Sequence, residues 1–207
     1  MPGERRPPFS MIRSLVLADF VTLANAACGT VSIFCCLNYM TEHDDRWMWG
    51  AFLSLPLALF FDMADGSIAR WRHRQSPYGA DLDSLADVIS FGVAPAVIGF
   101  AIGLRGVWDS LVLIMFVCAG LARLARYNVT AEELETESGK VAYYEGTPIP
   151  TSLALVLVLG VAFATGAVHA TLWLGAMALG PFTLHPLVVM YAVSGSFMIS
   201  TVKIPKP

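Results

Sequence analysis

The chain carries acidic residues at helical spacing inside strongly apolar sequence. Asp62 and Asp65 are three positions apart, and Asp83 and Asp87 are four apart, so each pair lies on one face of a helix. Charged side chains in membrane-type segments are costly and mark functional sites. A group of four carboxylates at low dielectric becomes tolerable when cations bind to it. The spacing therefore predicts a metal site between two antiparallel helices.

Carboxylate oxygens are ligands of hard cations such as Mg²⁺, Mn²⁺ or Ca²⁺, and four carboxylates fit two ions better than one. Two such ions about 4 Å apart can clamp a diphosphate. Small residues at Gly66, Ala69 and Gly79 leave space for a bulky ligand, and Arg70 offers a guanidinium fork to phosphate. Asp81 lies off the helix face of Asp83 and is expected to be solvated or to support a ligand.

The composition excludes an ordinary soluble domain. Of the 207 residues, 56% are hydrophobic and 14% are charged, whereas a soluble domain carries about 25% charged residues. Several apolar runs of about 20 residues predict an all-α integral membrane protein that crosses the bilayer several times. The net charge of -3 gives no sign of a nucleic-acid partner. We expect a single membrane domain over residues 1–207.

Six transmembrane helices are predicted from the apolar runs. They cover residues 16–40, 47–71, 80–104, 107–127, 149–167 and 184–202. A short N-terminal interfacial helix around Met11–Ser14 should precede them. Residues 128–148, which contain the acidic stretch 131–137, should form a polar loop, and residues 168–183 should form an interfacial or re-entrant element.

Basic residues predict the orientation, because cytoplasmic loops of membrane proteins carry an excess of Lys and Arg. With both termini cytoplasmic, only Arg46 and Arg105 of the 13 Lys and Arg residues lie on the other side. The acidic residues then lie at the cytoplasmic ends of the second and third spans. We therefore expect a multi-pass protein of the cell membrane with its active site facing the cytoplasm.

The third predicted span carries small residues at helical spacing, namely Gly92, Ala96, Gly99 and Gly103. Such a stripe lets helices approach closely in lipid. It fits either packing within one subunit or contact between two subunits. We expect a homodimer that uses the third and fourth spans.

The stretch from Asp62 to Asp87 resembles the signature of the CDP-alcohol phosphatidyltransferases. Their pattern D-x2-D-G-x2-A-R-x8-G-x3-D-x3-D matches this sequence at every fixed position. The resemblance implies a six-helix membrane enzyme, usually a homodimer, with a cytoplasm-facing site. It also implies a CDP-linked donor and two divalent cations, Mg²⁺ or Mn²⁺, as cofactors.

The family's site residues transfer to this sequence position by position. The resemblance implies that Asp62, Asp65 and Asp83 bind the metal ions, and that Asp87 lies beside the metals as the catalytic base. The residues that would border the CDP moiety are Thr22, Asp65, Gly66, Ala69, Arg70 and Gly79.

Further segments resemble the members of this family that use L-serine as the acceptor. These segments are Asp19–Gly29, Asp87–Pro95, Arg123–Asn128, Gly146–Pro150 and Phe197–Lys203. The resemblance implies transfer of a phosphatidyl group from CDP-diacylglycerol to the serine hydroxyl, with release of CMP. Alternatives are another acceptor, such as glycerol phosphate, inositol phosphate or an amino alcohol, and, remotely, a divalent-cation transporter. The sequence shows none of the internal repeats that many transporters carry.

An amino-acid acceptor brings a carboxylate that needs a partner. Arg123 and Arg126 are three positions apart at the cytoplasmic end of the fourth predicted span, and therefore share a helix face. We expect at least one of them to bind the acceptor, with Asn128 and Thr147 as weaker candidates. The alternative is that both arginines anchor the helix at the membrane surface.

Overall fold

The protein is described from a computed structural model that covers residues 15–72, 78–137, 143–200 and 203–205. Within these ranges the chain forms six α-helices. They are α1 (Leu17–Glu42), α2 (Asp45–Arg72), α3 (Gly79–Ile102), α4 (Val107–Glu137), α5 (Leu153–Ala164) and α6 (Val189–Ile199). Short 3₁₀ turns, Ile149–Ser152 and Pro186–Val188, lead into α5 and α6.

Four helical segments of the described chain have the length and apolar composition to cross a membrane. They are Leu17–Glu42, Asp45–Ile68, Gly79–Ile102 and Val107–Val129, and they match the first four predicted spans within a few residues. The fifth and sixth predicted spans correspond to shorter apolar helices, Ile149–Ala164 and Pro186–Ile199. The chain is therefore a mostly helical membrane protein, and the six-span prediction is confirmed for four helices. The predicted interfacial helix at Met11–Ser14 lies outside the described residues.

The prediction of a polar loop over residues 128–148 is wrong for its first half. Helix α4 continues without interruption to Glu137. The added segment contains four Glu, one Ala and one Leu, which are strong helix formers, and the first glycine follows only at Gly139. Polarity marked the end of the apolar run but not the end of the helix.

Two short strand pairs supplement the helices. Strands β2 (Met177–Leu179) and β3 (Phe182–Leu184) form an antiparallel hairpin in the segment predicted as interfacial or re-entrant. Strand β1 (Tyr143–Glu145) pairs with β4 (Lys203–Pro205) near the end of the chain. The prediction of an all-α fold did not include these strands, because three-residue strands are too short for a sequence period to reveal them.

Helix α3 is the most buried of the candidate spans. In its apolar window 67% of the residues are buried, against 28%, 28% and 33% in those of α1, α2 and α4. Helix α1 packs along α2 and against α3, and α4 and α5 also pack on α3. Large side chains fill this core, including Phe91, Ile98, Ile102, Phe116 and Tyr191. The outer faces of α1 and α2 expose apolar side chains, as expected for helices that face lipid.

The small residues of α3 make contacts inside the chain. A Cβ added at Gly99 would lie 2.8 Å from the Tyr191 hydroxyl oxygen, and one at Gly103 would lie 2.9 Å from the His169 backbone. The other two members of the stripe are buried as well. Of the two alternatives for this stripe, the structure therefore shows close packing within one subunit, and the homodimer stays a prediction.

A π-helical segment, Val88–Val93, interrupts α3 directly after Asp87. There the Ala94 N–H donates to the Ile89 carbonyl, five residues back. Pro95 follows, and a proline inside an α-helix lacks an N–H and clashes with the carbonyl four residues back. The wider π turn accommodates this proline. Such turns are frequent at functional sites, and this one directly follows an acidic residue of the predicted site.

Candidate active site

Three of the predicted acidic residues come together where α2 ends and α3 begins. Asp62 on α2 and Asp83 and Asp87 on α3 each offer a carboxylate oxygen, and these oxygens lie within 4.8 Å of one another. Asp87 is buried, and the other two are half-buried. This group, called the acid cluster below, is an all-oxygen donor set that suits a hard divalent cation. The antiparallel helix pair expected from the spacing therefore brings the acidic faces together.

Asp65 is buried one helical turn from Asp62 and lies outside the group of three. The Thr22 hydroxyl of α1 donates to Asp65 Oδ2 at 2.7 Å. Thr22, predicted beside the CDP moiety, therefore contacts the carboxylate that neighbours the cluster. Asp81 is exposed and also lies outside the group of three, in keeping with its position off the shared helix face.

Two polar residues that the sequence reasoning did not assign also contact the site. Asn25 of α1 is fully buried, and its Nδ2 donates to Asp87 Oδ1 over 3.4 Å. Ser90, in the π segment, donates from its hydroxyl to the Asn25 carbonyl at 2.9 Å. The signal was available: Thr22 and Asn25 stand three positions apart in a largely apolar helix, which places two polar groups on one face.

The remaining motif residues lie around the junction of the two helices. Gly66 is half-buried on α2, and Gly79 is the first residue of α3. Ala69 and Arg70 continue α2 beyond the acids, while their side chains lie outside the described part of the structure. The positions of these backbones agree with a ligand lying between the ends of α2 and α3.

Two candidates for acceptor binding meet at the end of α6. The Arg126 guanidinium donates to the carbonyl oxygens of Ile199 at 3.4 Å and of Ser200 at 3.1 Å. The Thr147 N–H donates to the Phe197 carbonyl at 3.3 Å. Carbonyl groups in the last turn of a helix lack partners within the helix, so Arg126 caps the end of α6.

Of the other two candidates, Asn128 contacts the helix that carries the acids. Asn128 donates from Nδ2 to the Ser84 hydroxyl at 3.0 Å, and Ser84 follows Asp83 directly in the sequence. Arg123 is buried, and its guanidinium carbon lies 5.5 Å from the centre of the Tyr127 ring. The end of α4 therefore contacts the same stretch of α3 that carries the acids.

The fold and the acid cluster define a helical membrane enzyme with a carboxylate-rich site, and sequence comparison gives its family. The sequence profile of the CDP-alcohol phosphatidyltransferases matches residues 15–184. The chain belongs to this family, as the pattern from Asp62 to Asp87 predicted, and it is a phosphatidyltransferase enzyme.

The names of curated relatives are more specific than the family name. The CDP-diacylglycerol–serine O-phosphatidyltransferase of Saccharomyces cerevisiae is 42% identical over 203 residues, which cover 96% of this chain and 74% of the relative. The protein of the same name from Methanocaldococcus jannaschii is 33% identical over 153 residues, 72% of this chain and 62% of the relative. An archaetidylserine synthase of Methanothermobacter thermautotrophicus is 34% identical over 146 residues, 69% of this chain and 56% of the relative. The matched part of this chain therefore spans about half to three quarters of each relative.

Proposed function

We propose that this protein transfers the phosphatidyl group of CDP-diacylglycerol to the hydroxyl of L-serine, forming phosphatidylserine and releasing CMP. The observation that carries the proposal is the acid cluster of Asp62, Asp83 and Asp87, whose carboxylate oxygens lie within 4.8 Å of one another. The names of the relatives from yeast and from Methanocaldococcus jannaschii support serine as the acceptor.

In the proposed mechanism Asp62, Asp65, Asp83 and Asp87 hold two divalent cations, Mg²⁺ or Mn²⁺. When bound, such ions would supply positive charge that offsets the negative charge of the donor's diphosphate. The donor set of the acid cluster fits such ions, because all of its ligand atoms are carboxylate oxygens. Asp65 accepts a hydrogen bond from the Thr22 hydroxyl, which fixes the orientation of its carboxylate.

Asp87 is the proposed base. Its carboxylate takes the proton of the serine hydroxyl, and the serine oxygen forms the new bond to the phosphorus that carries the lipid. The bond from that phosphorus to the CMP oxygen breaks, and CMP leaves. We favour this direct attack over a covalent enzyme intermediate because no activated Ser, Cys or His accompanies the motif. The protein's part is positioning and electrostatic stabilisation, as in other phosphoryl transfers.

The substrates would lie on two sides of the acid cluster. The CDP moiety would lie along Thr22, Asp65, Gly66, Ala69, Arg70 and Gly79. The serine carboxylate would meet Arg123 or Arg126, with Asn128 and Thr147 nearby. The hydrogen bond from Asn128 to Ser84 supports this location of the acceptor, because it brings α4 next to Asp83.

The proposed setting is the cell membrane, with both termini and the active site on the cytoplasmic side. The bias of basic residues supports this orientation. We also propose a homodimer. Its interface must use surfaces other than the glycine stripe of α3, because Gly99 and Gly103 pack against their own chain.

An acceptor screen tests the function. Purified protein with CDP-diacylglycerol and Mg²⁺ or Mn²⁺ would be given serine, glycerol 3-phosphate, inositol phosphate or choline, and CMP release would be measured. We expect release with serine, abolished in Asp83→Asn and retained in Asp81→Asn, a matched change at an exposed acid on the same helix. Release with a different acceptor alone would keep the chemistry and overturn the proposed acceptor. No release with any acceptor would overturn the proposed function.

A further inference from the structure

Asn25 connects α1 to the functional end of α3 through two bonds. Its side-chain Nδ2 donates to Asp87 Oδ1 over 3.4 Å, and its main-chain oxygen accepts the Ser90 hydroxyl at 2.9 Å. Asp87 and Ser90 are on either side of the start of the π segment. Asn25 therefore contacts α3 where its backbone geometry changes, immediately beside the proposed base.

The oxygen of the Asn25 amide differs from its nitrogen. Its Oδ1 is buried and makes no hydrogen bond to any residue that the structure describes. A carboxylate only accepts hydrogen bonds, so the amide nitrogen must face Asp87 and the oxygen must point away. A buried acceptor without a partner costs free energy, and such a group in a native protein calls for a functional explanation. The amide is therefore a poor contributor to stability.

The helix that carries Asn25 is held close to α3. A Cβ added at Gly29, about one turn after Asn25, would lie 2.5 Å from the Ser90 hydroxyl oxygen and 2.7 Å from the Ser90 Cα. One turn before Asn25, the Thr22 hydroxyl contacts Asp65 at 2.7 Å. These contacts on both sides fix the amide relative to the acids, so its bond to Asp87 is a constrained contact.

We propose that Asn25 is a positioning residue that orients the Asp87 carboxylate toward the acceptor hydroxyl. The amide occupies Oδ1 of Asp87 and leaves Oδ2 as the oxygen that meets the hydroxyl proton. Asn25 is fully buried, so in this proposal it acts on the acceptor through Asp87. The inference rests on the proposed function, in which Asp87 is the base.

The Asn25→Leu variant tests this role, because leucine keeps a similar volume and removes both the donor and the unpaired oxygen. We expect kcat to fall about 10- to 100-fold, the scale for a slightly misplaced reacting group. The KM values for CDP-diacylglycerol and serine should change by less than about twofold. The thermal midpoint in detergent should stay equal or rise, since the unpaired buried acceptor is gone. A residue with a purely structural role would not give this combination.

Ser32 provides the matched control on the same helix. It is fully buried, and its hydroxyl donates to the Ala51 carbonyl at 3.1 Å, away from the acid cluster. Ser32→Ala should keep the parental kcat. A second Asn25 variant, Asn25→Asp, places a further carboxylate against Asp87 and should lower kcat at least as much as Asn25→Leu.

Three results would overturn the inference. The first is a parental kcat in Asn25→Leu, and the second is a kcat that falls only together with the thermal midpoint. The third is a large loss of Mn²⁺ affinity, measured by electron paramagnetic resonance, with kcat restored at saturating metal, because Asn25 would then serve metal binding. If serine gives no CMP release in the parent, the proposed acceptor fails separately. The same kcat ratio is then measured with the acceptor that supports release.

Discussion

The two ends of α3 each lie beside buried carboxylates, and their surroundings differ. Just beyond its C-terminal end, Asp109 is fully buried and accepts the Gly106 N–H at 2.9 Å and the His185 N–H at 2.8 Å. The His185 imidazole Nδ1 lies 2.6 Å from the same carboxylate. Near the N-terminal end, Asp87 faces the carboxylates of Asp62 and Asp83 within 4.8 Å.

The difference separates a structural carboxylate from those that we propose to be functional. Asp109 is surrounded by donors of its own chain, so it links the hairpin end at His185 to the start of α4. The acid cluster brings like charges together, and no ion pair to Lys or Arg is found there among the side chains that the structure describes. Carboxylates in this arrangement need positive charge from a ligand. Burial alone therefore does not identify the site, whereas the partners of the carboxylates do.

Removal of divalent metal should lower activity more than any other change, and it should affect only the N-terminal end of α3, where the acid cluster lies. A chelator should abolish CMP release, and Mg²⁺ or Mn²⁺ should restore it, because the carboxylates of Asp62, Asp83 and Asp87 lie within 4.8 Å of one another and repel without a bound cation. The contacts of Asp109 involve only protein groups, so they should not respond. CMP release before and after chelation is the measurement. Full activity in chelator would contradict the assignment of the acid cluster to metal.

Asp87→Asn should come next in size. We expect turnover to fall by about 10²- to 10⁴-fold, the range for loss of a general base, while CDP-diacylglycerol still binds. Steady-state CMP release and binding of labelled donor measure the two properties. Asp81→Asn is the control, since Asp81 is an exposed acid on the same helix. Near-normal turnover in Asp87→Asn would mean that another residue is the base.

Asp109→Asn should lower stability and leave turnover unchanged, the opposite of the effect expected for Asp87→Asn. An amide cannot accept from all three donors of Gly106 and His185, so at least one buried donor loses its partner, at about 1–3 kcal/mol. For a chain of this size the thermal midpoint should fall by several degrees, while turnover per folded molecule stays unchanged. Thermal unfolding in detergent and CMP release decide this. If turnover fell without a loss of stability, Asp109 would be functional and the comparison would fail.

Between its two ends, α3 should lose stability when a glycine is replaced by a larger residue. A Cβ at Gly99 would lie 2.8 Å from the Tyr191 hydroxyl oxygen, and that hydroxyl donates to the Pro95 carbonyl at 2.6 Å. Gly99→Ala should therefore cost about 1–3 kcal/mol, as overpacking of a core does. Gly160→Ala is the matched control, because its nearest neighbour, Phe52, would lie at 3.8 Å. Equal thermal midpoints for both variants would contradict close packing at Gly99.

The sequence predicted the acid cluster at the N-terminal end of α3 better than it predicted the other parts of the chain. The spacing of Asp62, Asp83 and Asp87 on two helices was enough, because helix period and the cost of buried charge together require one shared site. Asn25 shares a helix face with Thr22, but it was missed because the sequence does not show that this face meets Asp87. Its role depends on a tertiary contact between α1 and α3.

The less successful predictions concern properties that depend on neighbours. The glycines of α3 suit any close helix contact, and only the position of Tyr191 shows that Gly99 packs within its own subunit. The acidic stretch up to Glu137 has high helix propensity, yet its polarity suggested a loop. The acceptor role of Arg126 stays a prediction, and its guanidinium contacts the end of α6, 73 residues away in the sequence.

Arg126 gives the most sensitive test of this comparison, because it makes a structural contact and is also a candidate for binding substrate. Its guanidinium contacts the carbonyls of Ile199 and Ser200, as a structural residue would, yet a guanidinium carries five donors and can also hold a carboxylate. Arg126→Ala should raise the serine KM about tenfold, the scale of one charge-assisted hydrogen bond, with a small fall in the thermal midpoint. Arg126→Lys should recover the midpoint, since an ammonium can still reach the helix end, but only part of the KM, because a point charge cannot reproduce the fork. Unchanged serine KM in both variants would make Arg126 a structural residue like Asp109, and Arg123, buried beside Tyr127, would become the candidate for the serine carboxylate.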